Sequence, residues 1–182
     1  MGWTGDIAVF SPTALYNFEL CRFLEKWLRD VKAEQLPTGG IPNTVPVQGY
    51  GFPATMPEMA VDWWGDACVL VPWALYEATG SLDVLRMMYP TMQKYVKACC
   101  FWAGFGIGKH RYIWHTPSVL HFGDWVAPDC AEDESVAGPQ QVHRHGVPVQ
   151  HQRYTGEKLH ASLARPKDAA KYKELSRKVA DA

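Results

Sequence analysis

Apolar residues recur at three- and four-residue steps from Leu15 through Phe18, Phe23, Leu24, Trp27 and Leu28 to Val31, with Glu19, Glu25, Lys26, Arg29 and Lys32 between them. That spacing predicts an amphipathic helix from about Pro12 to Glu34, with Ser11 as its cap and Pro12 at its first position. A second helix, DACVLVPWALYEATG, opens at Asp66 and stops at Gly80. It is apolar nearly all round, which predicts burial on both sides, and Pro72 within it removes one backbone bond and predicts a kink. A third stretch begins near Asp83 and restarts at Pro90. Its apolar residues Leu85, Met88, Met92, Tyr95, Cys99 and Trp102 again step by three and four. Lys167–Ala180 reads as a charged surface helix. Between the first two helices, PTGGIPNTVPVQGYGFPATMPEM carries four Gly and five Pro and is expected to be a long ordered loop. Strand signals are sparse, and IWHTPSVLHFGDW holds one short pair at most. The fold class is therefore all-α, with long loops between helices.

Composition changes this picture in one respect. A chain of 182 residues with 47% hydrophobic and 20% charged residues forms one domain with a real core. Its net charge of −1 offers no basic footprint for nucleic acid or an anionic membrane. No apolar run is long enough to span a bilayer. The start lacks a signal-peptide pattern, and the reading leans towards the cytoplasm. The five Cys show neither CxxC nor Cys/His ligand spacing, so reduced core thiols are expected rather than a disulfide framework or a metal site. The seven His show no metal spacing either. The unusual feature is eight Trp, eight Tyr and seven Phe, more than a core of this size needs, which predicts an aromatic-lined cavity.

A Gly-Asp pair stands beside tryptophan three times: in MGWTGD, in WWGDA (Trp63–Ala67) and in FGDW (Phe122–Trp125). Taken singly, each is a common turn or helix cap. Trp27, Trp73 and Trp102 lie on helical stripes and read as core. As a set, the three groups are harder to explain by capping. Asp6, Asp66 and Asp124 are sixty and fifty-eight residues apart, the length of a helical hairpin with its return loop. Hairpins repeating one up-and-down path would return all three to one end of the stack. Carboxylates that bond ring hydroxyls, together with indoles that cover apolar C–H faces, suit a sugar.

With these groups, GGIPNTVP, WWGDACVLVPWALYEATG and YPTMQKYV, in this order, resemble the catalytic domain of bacterial α-L-rhamnosidases, the six-hairpin glycosidases of family 78. The quoted motifs run from Met1 to about Ala127 and resume at Pro166–Ala182. The resemblance implies a partial (α/α)6 barrel with its site at the mouth, and an exo-acting, inverting hydrolase that releases terminal α-L-rhamnose. It implies no metal and no organic cofactor, and a rhamnose-containing glycoside as the partner. The residues that carry over as substrate-binding are Trp3 and Asp6, Trp64 and Asp66, and Trp125. Asp6 is expected to bond rhamnose hydroxyls, and the three indoles to wall the pocket around the 6-methyl group. Trp63 stands where the family often has Gly, so which indole faces the sugar is open at this stage. Another six-hairpin glycosidase of different sugar choice, and a catalytically dead helical binding module, are the alternative readings.

The same resemblance places the family's general acid two residues before Met1 and its catalytic base beyond Ala182. The chain thus reads as a fragment of one catalytic domain, inactive by itself. One segment, residues 140–162, lies outside the quoted motifs. QQVHRHGVPVQHQRYTGEK (Gln140–Lys158) shows no helical stripe. Codons for Gln141–Lys158 exist that, advanced by one base, read KYIGTAYPFNTSGILAK, a string similar to the family's helix. A slip of reading frame is the expectation there, with a divergent loop as the alternative.

Overall fold

The computed structural model describes residues 2–47, 64–103 and 166–180. Helices dominate them: α1 (Thr4–Asn17), α2 (Cys21–Glu34), α3 (Ala67–Thr79), α4 (Asp83–Ala103) and α5 (Pro166–Ala180). A two-residue antiparallel ladder, β1 (Gly2–Trp3) with β2 (Thr44–Val45), pairs Gly2 with Val45 and Trp3 with Thr44.

The single helix expected over Pro12–Glu34 is two. Ser11–Pro12 lies inside α1, which begins eight residues earlier, at Thr4. Proline offers no N–H to the carbonyl four residues back, and the Ser11 hydroxyl donates to that Ala8 carbonyl instead, at 3.4 Å. The real interruption is at Phe18, whose backbone is extended (φ −142°, ψ 152°). Asn17 closes the last turn by donating its side-chain amide to Thr13 at 2.8 Å. The break rotates α2 relative to α1, so the apolar stripe does not run on across it. Leu24, Trp27, Leu28 and Val31 are buried, whereas Phe18 and Phe23 are exposed. The restart expected at Pro90 is also absent, because α4 runs unbroken through it.

Two kinds of helix result. The buried residues of α1 are small (Thr4, Ala8, Ser11 and Ala14), and this stripe lets it pack closely on α3. Helix α3 packs against α1, α2 and α4 and buries Ala67, Cys68, Val69, Val71, Pro72, Ala74 and Leu75, as its all-round apolar pattern predicts. Gly80 ends it in the left-handed conformation (φ 70°), with its N–H donating to Tyr76. By contrast α2 and α4 bury one face each. The common core joins Leu28, Val31, Ile41, Val45, Val71, Leu75, Leu85, Met88 and Tyr95. Helix α5 starts one residue before the expected Lys167 and meets α4 where the Tyr89 hydroxyl donates to Asp168 at 2.5 Å.

The loop after α2 is ordered by specific bonds as far as Val47. Gln35 donates its side-chain amide to the carbonyls of Gly39 and Thr91, both at 3.0 Å, tying loop to α4. Glu34 accepts the Val47 N–H at 2.8 Å, and the Trp27 indole donates to the Val45 carbonyl at 3.1 Å. The loop thereby reaches back to the start of α1. There Thr4, fully buried, donates its N–H and hydroxyl to the Asn43 carbonyl at 2.8 and 2.9 Å. The remainder of this loop, the strand pair expected in IWHTPSVLHFGDW and the segment 140–162 lie outside the described residues.

Candidate functional site

The GWTGD and WGD groups meet. Gly5, in the first turn of α1, lies against the indole of Trp64: a Cβ placed on Gly5 would sit 3.3–3.4 Å from three atoms of that ring. Because Gly5 lies in the first turn of α1 and Trp64 lies three residues before α3, the N-termini of both helices stand at one end of the stack. The hairpin argument from sequence spacing required this of the first two groups.

Neither aspartate is spent on capping. Trp3 occupies the cap position of α1 and offers no side-chain bond to it, and Asp6 follows in the first turn with its side chain exposed. A carboxylate there is favoured by the positive end of the helix. Asp66 occupies the cap position of α3, again without a side-chain capping bond; its backbone carbonyl accepts from Val69 and Leu70 at 2.8 and 2.9 Å. Its side chain is 4% exposed, and one oxygen accepts the Tyr95 hydroxyl at 3.0 Å. Tyr95 is completely buried, and its ring abuts Gly65 so closely that a Cβ there would lie 2.4 Å from Cε2 and 2.7 Å from Cζ and Oη. Each position of W-G-D therefore has a distinct use. The indole covers α1, the glycine admits the tyrosine ring, and the carboxylate receives its hydroxyl.

Of the residues singled out from sequence, Asp6 is exposed, Trp3 and Trp64 are partly buried, and Asp66 is buried; Trp63 and Trp125 lie outside the described residues. Tyr95 lies on an apolar stripe of α4, and nothing in its sequence context marks it as Asp66's partner. In the first turn of α3, burial first, then the Asp66 carboxylate and Cys99, push the Cys68 thiol well above its ordinary range. Cys68 is therefore expected to resist a disulfide reagent at pH 8 in the folded protein and to react on unfolding, as a thiol titration would show. Among the described residues no group of three or more His, Cys, Asp or Glu could hold a metal ion, and no helix is long and apolar enough to cross a membrane.

Helical hairpins packed side by side, with carboxylate and indole gathered where two helices begin, are what part of a six-hairpin glycosidase domain would present. Residues 1–182 match the family described as the bacterial alpha-L-rhamnosidase 6 hairpin glycosidase domain, and the chain belongs to that family. The match extends across 140–162, which the motifs quoted above leave out. An alpha-L-rhamnosidase of Formosa agariphila is 34% identical over 128 residues, covering 70% of this chain and 12% of that protein. One of Streptomyces avermitilis is 37% identical over 131 residues, covering 69% of this chain and 11% of that protein. Among solved structures, Streptomyces avermitilis alpha-L-rhamnosidase complexed with L-rhamnose superposes with a TM-score of 0.72 at 29% identity, covering 98% of this chain and 15% of that one. The alpha-L-rhamnosidase from Dictyoglumus thermophilum gives 0.74 at 25% identity, covering 98% and 18%. The chain thus spans 11–12% of the length of these two curated relatives.

Proposed function

We propose that this chain supplies part of the sugar-binding mouth of an exo-acting α-L-rhamnosidase. The observation that carries the reading is the seating of Gly5 against Trp64, which brings the first turn of α1, the turn that bears the exposed Asp6, onto a partly buried indole where α1 and α3 begin. In this reading Asp6 accepts hydrogen bonds from rhamnose hydroxyls. Trp3, Trp64 and Trp125 cover the apolar face and the 6-methyl group, and Asp66 holds the turn that carries Trp64. The proton-transfer pair comes from the rest of the domain: a protonated Glu releases the aglycone while a second carboxylate activates water on the opposite face. Inversion requires the two groups roughly 6.5–9.5 Å apart, leaving room for that water.

The full-length protein is expected to hydrolyse an aryl α-L-rhamnoside and release β-L-rhamnose first, as seen by proton NMR before mutarotation. First release of the α-anomer, or no preference for rhamnoside over glucoside, would overturn the reading. The 182-residue chain alone is expected to show no turnover, since losing a proton-transfer group removes about 10²–10⁴-fold in rate for each one. Robust hydrolysis by the purified chain would show that the acid and base had been misplaced.

A further inference from the structure

We propose that Tyr95 is a positioning residue for this mouth: from α4 it fixes the Trp64–Gly65–Asp66 turn through its ring on Gly65 and its hydroxyl on Asp66, and so sets the indole of Trp64 against Gly5 in the turn of α1 that bears Asp6. The inference rests on the sugar-binding reading above and adds a residue that contacts no sugar.

The first ground is chemical. A fully buried side chain that only filled space would do so as well as phenylalanine, without a hydroxyl to satisfy. Here the hydroxyl meets a carboxylate that is itself 4% exposed, at 3.0 Å. Replacing both partners of such a buried bond by apolar groups of the same shape can be nearly neutral for stability, so the pair is set apart from an apolar one by the geometry it imposes. The second ground is the turn itself. Its own backbone bonds are long: Ala67 N–H to Trp64 at 3.3 Å and Cys68 N–H to Gly65 at 3.2 Å, against 2.8 Å for Val69 to Asp66 one step later. The clamp from Tyr95 falls where the backbone holds least. The third ground is contact geometry. The ring occupies the space a Gly65 side chain would need, and the neighbouring Trp64 occupies the space a Gly5 side chain would need. A movement of Tyr95 therefore passes through the turn to the indole and the start of α1.

The test uses the full-length protein, with L-rhamnose affinity followed by tryptophan fluorescence, kinetics on an aryl α-L-rhamnoside, and thermal melts. Tyr95→Phe keeps the ring and deletes the hydroxyl. Measured well below its melting temperature, it is expected to raise the rhamnose Kd and the KM about tenfold, the scale of one hydrogen bond to a charged group, with kcat changed less. Combined with Asp66→Asn it is expected to add little to the loss from Asp66→Asn alone, because both act through one bond. Gly5→Ala, whose added methyl meets the Trp64 ring first, is expected to weaken rhamnose binding in the same direction. A Tyr95→Phe protein that melts earlier but binds rhamnose as the parent does would overturn the inference, as would multiplicative losses in the double variant or an unaffected Gly5→Ala. Asp6→Asn separates the two levels. If it weakens binding while Tyr95→Phe does not, only the positioning role falls. If Asp6→Asn also binds normally, the sugar-binding reading falls and the inference with it.

Discussion

Gly65→Ala is expected to destabilise the protein by about 3 kcal/mol. Forcing an extra methyl into a packed core costs about 1–3 kcal/mol when neighbours can shift. Here the neighbour is the Tyr95 ring, with a contact of 2.4 Å to relieve and no exposed surface into which to move. Moving the ring also strains or breaks the bond to Asp66 and leaves a buried carboxylate short of a donor, a further loss of about 1.5–3 kcal/mol in the worst case. Gly80→Ala is the control. Nothing lies within 4 Å of its added Cβ, so only the left-handed backbone (φ 70°) resists it, at about 1–2 kcal/mol. Thermal melts of the two variants beside the parent should rank Gly65→Ala well below Gly80→Ala. Equal shifts would show that the Tyr95–Gly65 contact yields easily.

The second large effect concerns turnover. Asp6→Asn in the full-length protein is expected to lower kcat/KM on an aryl α-L-rhamnoside about 10–100-fold, since hydrogen bonds to a charged group are worth about 1.5–3 kcal/mol. Its melting temperature should scarcely move. Asp6 is exposed and makes no capping bond, so the fold loses only the favourable helix-end interaction, about 0.3–1 kcal/mol. Trp125→Ala is expected to act in the same direction. Were Asp6 merely a cap for α1, the variant would cost about 0.5–2 kcal/mol of stability and leave catalysis per folded molecule intact. Melts beside kinetics decide between the two.

Both predictions draw on features of unequal legibility. The family, the helical class and the residues Trp3, Asp6, Trp64 and Asp66 were readable from local motifs in the right order. The return of two Gly-Asp groups to one end followed from their spacing. Gly65's tight seat, by contrast, is invisible in the string WWGD, because the ring that demands it arrives from α4, some thirty residues later. The same separation hid the partner of Asp66, since Tyr95 sits on an ordinary three-four stripe and is indistinguishable there from Met88 or Met92.

What the sequence determined by itself was whatever depends on neighbours within a turn or two. The amphipathic face of α2, the apolar girth of α3 and its glycine stop are of this kind, as is the charged helix at Pro166–Ala180. Tertiary structure decided the rest. Pro12 reads locally as a helix start and Pro90 as a restart, yet both lie inside helices. In α1 the small face of Thr4, Ala8, Ser11 and Ala14 packs against α3, and the Ser11 hydroxyl serves the carbonyl that proline leaves without a donor. A penalty of about 3 kcal/mol for an interior proline is a property of an isolated helix. Packing with partners distant in sequence outweighs it, and no local pattern records those partners.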